Sequence, residues 1–173
     1  MRFYSGKGDN GTTTLFGSGK RIRKTDIVFE ALGSLDELNS YLGICMSLSN
    51  DKNVKNALEA VQENLFILQA ELGGAKIQPL GNNKLIELEK TTDNFSKRLG
   101  MITKFTLSGG TLLSTHLDFA RTLARKTERK ILKMKIISSI ALPYLNRLSS
   151  LLFVLARYVN KKAGKKEKSP KYK

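Results

Sequence analysis

From Asn53 to Leu72 the chain reads NVKNALEAVQENLFILQAEL, and Val54, Leu58, Val61, Leu65, Leu68 and Leu72 recur at alternating spacings of four and three. That seam puts every apolar side chain on one face of an α-helix, which must then pack against other helices. The same period governs almost everything beyond about residue 25. Asp26 is placed to cap a helix running to about Ser49, and the seam helix follows from about Asn53 to Leu72. Gly73-Gly74 ends it, and after the loop AKIQPLGNN a third helix, capped by Asn82 or Asn83, runs to about Leu99. Its apolar face is narrow, consisting of Leu85, Leu88, Phe95 and Leu99. MITKFTLSGG reads as an extended connection, followed by helices from about Thr111 to Met134 and from about Ser139 to Lys162, with Pro143 tolerated near the first turn of the last. Only residues 2–5 and 12–16 look extended. These elements predict an all-α fold, an up-and-down bundle of about five helices preceded by a glycine-rich loop. One domain spans residues 1–160, with the loop in 1–25 and the bundle in 26–160, and a basic tail occupies 161–173.

A chain of 173 residues can bury a core without disulfides or a structural metal. A lone Cys45 and a lone histidine exclude an internal disulfide and a Cys/His zinc constellation. The N-terminal stretch lacks the apolar core of a signal peptide, and no apolar run is long enough to span a bilayer, so a reducing cytoplasm is the expected setting. The formal charge of +15 predicts attraction to polyanions. Seven lysines against one glutamate in Lys161–Lys173 contribute +6 of it, and such a terminal run reads as a solvated, mobile tail.

The opening YSGKGDNGTTTLFG contains a G-x-G-x-x-G at Gly6, Gly8 and Gly11. The dinucleotide-binding fingerprint needs a strand before it and a helix after it; three threonines followed by two glycines start no helix. The later GSGKR fails as a phosphate loop as well, because Arg21 stands where a magnesium-binding hydroxyl belongs. What remains is physical. Glycines let backbone N–H groups approach an anion, Ser5, Thr12, Thr13 and Thr14 offer hydroxyl donors, and Lys7 offers charge.

A second cluster lies in HLDFARTLARKTERK, where Arg121, Arg125, Glu128 and Arg129 share one helical face. Three arginines there require compensation, either by carboxylates or by a bound polyanion, and arginine suits bidentate phosphate contacts. His116, on the same helix, reads as a packed, hydrogen-bonded residue. Asn146, flanked by leucines in YLNRLSSLLFVLARY, needs partners if buried and could read a base or a ribose.

YSGKGDNGTTTLFG, VFEALGSLDELNSYLG, FTLSGG with HLDFARTLARKTER, and YLNRLSSLLFVLAR, in that order over residues 4 to about 158, resemble the PduO-type ATP:cob(I)alamin adenosyltransferases. The resemblance implies a five-helix bundle assembling as a homotrimer with active sites between subunits. It implies transfer of the 5'-deoxyadenosyl group of ATP to the cobalt of cob(I)alamin, with magnesium carried on the ATP phosphates. Ser5, Gly6, Lys7, Gly8, Thr13 and Lys24 then fall to the triphosphate, with Arg125, Glu128, Arg129 and Asn146 on the other wall. Arg121 is implied to pair with Asp36 across the subunit interface, and Phe105 to crowd the lower face of the corrin; His116 joins Phe105 as a candidate contact to cobalamin. The chain departs from the family at Tyr4-Ser5-Gly6-Lys7-Gly8-Asp9, where the usual order is Tyr-Thr-Lys-Thr-Gly-Asp. The implied partners are a reductase that supplies Co(I) and a cobalamin-dependent enzyme that takes the product.

Two other classes compete. A basic helical nucleic-acid-binding module would use the net charge, but no helix-turn-helix, zinc site or stacking platform is visible and tryptophan is absent. A family relative acting only as a cobalamin chaperone or sensor would not need the arginine, glutamate and asparagine set. Neither a membrane nor a specific nucleic acid is expected as a partner.

Overall fold

A computed structural model describes residues 2–16, 19–134 and 139–172. The Gly17-Ser18 part of the rejected phosphate-loop match, the join between the last two helices at 135–138, and the final tail residue lie outside them. Five helices carry the fold: α1 (Ile27–Leu48), α2 (Lys52–Leu72), α3 (Asn82–Lys97), α4 (Leu112–Ile131) and α5 (Ala141–Lys162). The first start follows the expected cap, the Asp26 carboxylate accepting from Val28 N at 3.1 Å. At α4, expected only to begin near Thr111, that residue proves to be the cap, its hydroxyl accepting from Ser114 N at 3.1 Å. At α3 the expected cap is corrected: Gly81 is the N-cap, and the Asn83 side chain folds back over it, where a β-carbon would collide with the amide.

Residues 2–5 form no strand. The extended part is a hairpin, β1 (Thr12–Thr14) against β2 (Arg21–Arg23), antiparallel with Thr13 opposite Ile22. Three residues are too few for a period of two to stand out in sequence, so Arg21–Arg23 reads there only as charge.

Chain order sets only part of the packing: α1–α2 and α4–α5 are consecutive neighbours, whereas α1–α4 and α3–α5 are not. α4 is flanked by α1 and α5, α2 lies against α1, α3 lies against α5, and α2 meets α5 only lightly. The seam of α2 faces inward as expected, with Val54, Leu58, Val61, Leu65 and Leu68 in the core and Leu72 packed at its edge. On α3 only Leu88 and Phe95 are fully buried. Among the buried polar groups, Asn64 Nδ2 donates to Tyr144 Oη at 3.0 Å and so fixes α2 against α5. No helix among the described residues is long and apolar enough to cross a membrane.

Asp51 ties α2 to α5. It caps α2 through Asn53 N and Val54 N and accepts from Tyr158 Oη at 3.0 Å and Lys162 Nζ at 2.7 Å on α5. Burial pushes its carboxyl up, but the hydrogen bonds from Lys162, Tyr158 and the two amides outweigh that and hold it at about 2, below the ordinary 3.8. A carboxyl depressed in the folded state lets the unfolded chain take up the proton first, so stability is lost as pH falls from about 4 towards 2. Thermal melts over that range should show a fall that Asp51→Asn flattens. An equal fall in wild type and variant would assign the acid sensitivity elsewhere.

Candidate active site

The glycine-rich loop is shaped by its own backbone. Asp9 N bonds Gly6 O at 3.2 Å, Gly11 N bonds Gly8 O at 3.2 Å, and Lys24 N bonds Gly11 O at 2.9 Å, so two successive turns feed into the hairpin. Gly6 and Gly11 take positive φ, 67° and 75°, which non-glycine side chains resist. At Gly8 the missing β-carbon leaves the space beside the Lys24 ammonium, 3.1 Å from where it would stand. Lys24 therefore lies over the loop at Gly8, whose chain neighbour Lys7 is exposed.

Arg21 braces this arrangement. Its Nε and Nη2 donate to the Thr12 hydroxyl at 3.0 and 2.6 Å, and Nη2 also reaches Thr12 O at 2.9 Å and Lys7 O. The same residue that breaks a phosphate-loop match thus holds the loop backbone in place. Ser5 Oγ accepts from Lys7 N at 3.4 Å, and Thr13 is half-buried in β1. The result is two turns rich in backbone N–H groups with Lys7, Arg21 and Lys24 on the same short stretch, a combination suited to anions.

The second group forms where the end of α4 meets the start of α5. Asn146 Nδ2 donates to Glu128 Oε1 at 3.2 Å, Arg129 Nη1 donates to Arg125 O at 2.9 Å, and Arg147 links Asn146 to Glu89 on α3. Glu128 is thus engaged by an amide, and among the described residues neither Arg125 nor Arg129 has a carboxylate partner. The two lysines of α4 are neutralised, Lys126 by Glu37 at 2.9 Å and Lys130 by Glu30 at 2.6 Å, both on α1. The structure therefore separates paired lysines from two exposed arginines whose charge is left for a ligand. Asn146 is exposed, so its need for partners does not come from burial.

Hydrogen bonds described for the loop stay within residues 5–24, and those of the arginine group stay on α4, α5 and α3. Arg121 is half-buried, with an Nε that no acceptor reaches, while Asp36 on α1 is exposed and makes no ion pair among the described residues. His116 Nδ1 is hydrogen bonded to Tyr41 Oη at 2.8 Å, and the Tyr41 ring also packs on Phe119. Phe105 is 80% exposed on the connection before α4. With Ile102, Phe153 and Tyr172 it lines an open cavity of about 860 Å³. Such an aromatic wall, left in the open, suits a large flat apolar ligand.

No side-chain nucleophile stands in either group. Cys45 is fully buried and its thiol is pushed up to about 12 by burial, so it supplies no thiolate. Among the described residues no cluster of three His, Cys, Asp or Glu could hold a metal. Sequence reading passed over Arg21, which signalled only charge, and Arg157, an arginine in the apolar run FVLARY whose position was itself a signal of buried pairing.

Residues 3–159 match the family described as Cobalamin adenosyltransferase. The corrinoid adenosyltransferase of Citrobacter freundii is 39% identical over 165 residues, covering 90% of this chain and 93% of that protein. The corrinoid adenosyltransferase PduO of Salmonella typhimurium is 37% identical over 166 residues, covering 91% of this chain but 49% of the relative, so the chain spans about half of that protein's length. Among solved structures, a variant PduO-type ATP:corrinoid adenosyltransferase from Lactobacillus reuteri complexed with cobalamin and ATP superposes with a TM-score of 0.92. The two are 30% identical, and the match covers 99% of this chain and 100% of that one.

Proposed function

The chain belongs to the cobalamin adenosyltransferase family, and on that premise we propose that it transfers the 5'-deoxyadenosyl group of ATP to cob(I)alamin, forming adenosylcobalamin and releasing triphosphate. The observation that carries the reading is the group at the α4–α5 junction. Two exposed arginines without carboxylate partners stand beside a glutamate held by an amide, in a chain whose likeness to an ATP- and cobalamin-bound structure covers almost its whole length.

Cob(I)alamin is itself a strong nucleophile, so the absence of a protein nucleophile suits the reaction. The cobalt–carbon bond forms as the C5'–oxygen bond breaks, and the electron pair of that bond leaves with the triphosphate. The work left to the protein is to hold C5' in line with cobalt and to offset the departing charge. Lys7 and Lys24, with the Ser5 and Thr13 hydroxyls and the N–H groups around Gly6 and Gly8, face the triphosphate. Arg125 and Arg129 oppose them, and Asn146 holds Glu128 in place beside them. Magnesium would be carried on the ATP phosphates, where it would offset their charge, and Glu128, held by Asn146, is the carboxylate on the arginine face that would orient it. Phe105 and, beyond it, His116 belong to the cobalamin side.

The bonds described for the loop and for the arginine group do not join the two, and among the described residues Arg121 and Asp36 make no ion pair, which supports a site completed between subunits of a homotrimer. Under anaerobic reduction, protein with ATP, magnesium and cobalamin should yield a light-sensitive Co–C product and triphosphate, and light scattering should give three times the 19.3 kDa chain mass. No product from fully reduced cobalamin would refute the activity, and a monomeric mass in the active protein would refute the intersubunit site. The product passes to a cobalamin-dependent enzyme, and a separate reductase delivers Co(I).

A further inference from the structure

The lysine-rich tail contains one carboxylate, Glu167. Its Oε1 lies 2.5 Å from Nε of Arg157, as a charge contact rather than an aligned hydrogen bond, and accepts from Asn160 Nδ2 at 3.0 Å. Arg157 is 3% exposed, and a guanidinium so buried needs compensation around its whole fork. Its Nη2 donates to Asp118 on α4 at 2.6 Å, its Nη1 to the Thr106 hydroxyl at 2.5 Å, and its plane lies over the Phe153 ring.

The same cluster grips the connection that carries Phe105. Asn160 donates to Gly109 O at 2.8 Å and accepts from Thr111 N at 2.9 Å. Gly110, with φ of 107°, sits where a β-carbon would strike the Asn160 amide, while Gly109 meets no neighbour but takes a positive φ of 147°, so the two glycines of FTLSGG are required for different reasons. From the tail side, Lys168 O accepts from Leu107 N at 2.7 Å. Residues 106–111 are thus held by α5 on one side and by Glu167-Lys168 on the other. The next residues, Ser169 to Tyr172, face Phe105 and Phe153 across the cavity of about 860 Å³.

We propose that Glu167 is a positioning residue: by pairing with buried Arg157 it locks the C-terminal segment and the Thr106–Thr111 connection onto α5 as one unit, and so sets the wall on which Phe105 stands. The consequence for catalysis rests on the reading of this cavity as the cobalamin side of the site. Past Lys161 and Lys162, which are bonded respectively to the Arg98 and Leu99 carbonyls and to Asp51, the tail's described lysines are exposed while its one acidic side chain anchors it, an arrangement that a purely solvated tail would not need.

Glu167→Gln keeps the side-chain length and the contact to Asn160 but removes the charge opposite Arg157. Hydrogen exchange at the Leu107 amide should then speed up by about tenfold, the scale of losing a charge-assisted contact. KM for cobalamin should rise by a similar factor of about ten while KM for ATP stays within about twofold. A chain ending at Gly164 should show the same split. Unchanged Leu107 exchange in Glu167→Gln, an unchanged cobalamin KM in both variants, or equal loss of ATP and cobalamin affinity would overturn the inference. If the wild-type chain makes no adenosylcobalamin yet Leu107 exchange responds to Glu167→Gln, the lock stands and the proposed activity falls.

Discussion

Replacing Arg125 with alanine is expected to cut kcat/KM for ATP by roughly two to three orders of magnitude, with KM for cobalamin and the assembly unchanged. The expectation follows from where its charge goes. Lys126 and Lys130 are already paired with Glu37 and Glu30, so their removal would alter surface ion pairs of small value, whereas Arg125 has no carboxylate and stands in the open. A guanidinium that meets the leaving triphosphate acts where negative charge develops and contributes most in the transition state. Lys126→Ala is the control, expected to stay within about threefold of wild type because its ion pair is an exposed one. Steady-state kinetics on both variants decide it: comparable effects at the two positions would mean general electrostatics, and a wild-type Arg125→Ala would remove α4 from the phosphate site.

The second large effect is structural. Asp118→Ala leaves the Arg157 guanidinium buried with only Glu167 to offset it, and breaking a buried pair costs about 3 kcal/mol or more. In a chain of this size that corresponds to a fall in melting temperature of roughly 6–12 °C. Calorimetry measures it. The double variant Asp118→Leu with Arg157→Met should recover most of the loss, because an apolar pair avoids desolvating two charges. A single variant that melts like wild type would show that water enters the cluster and that the pair is not truly buried. The double variant, stable but without the fork that reaches Thr106, should still show the raised KM for cobalamin expected of Glu167→Gln.

Much of the fold is legible in particular residues. The four-three spacing of Val54 to Leu72 commits α2 to a packed helix, and Asp26 and Thr111 mark two helix starts because a side-chain acceptor must stand just ahead of the orphan amides. Asn82 and Asn83 misled for a related reason: both are good caps by type, but the chain turns into the helix one residue earlier, where Gly81 leaves room for the Asn83 amide. The hairpin was half visible in its threonines. Its partner strand was not, since pairing is a property of two segments and three residues carry too little pattern to announce it.

The site divides in the same way. Arg125, Glu128 and Arg129 share a helical face by spacing alone, so their grouping needs no tertiary information. That Asn146 reaches Glu128, that the lysines of α4 are neutralised by α1, and that Arg121 keeps an unmet donor all depend on which helices lie side by side. The apolar period says that each helix has an inner face but not which neighbour covers it, and here α1 and α5, far apart in sequence, flank α4.

By itself, then, the sequence determined five helices, most of their limits, a glycine-rich opening that is no dinucleotide fingerprint, and a cationic stripe, because each follows from local spacing and residue type. Only the tertiary structure decided that Arg21 braces that loop, that Phe105 stands in the open on a cavity wall, and that the lone acid of a basic tail returns to a buried arginine. Those outcomes come from long-range burial: a charge taken out of water must find its partner wherever packing has brought one, at any distance along the chain.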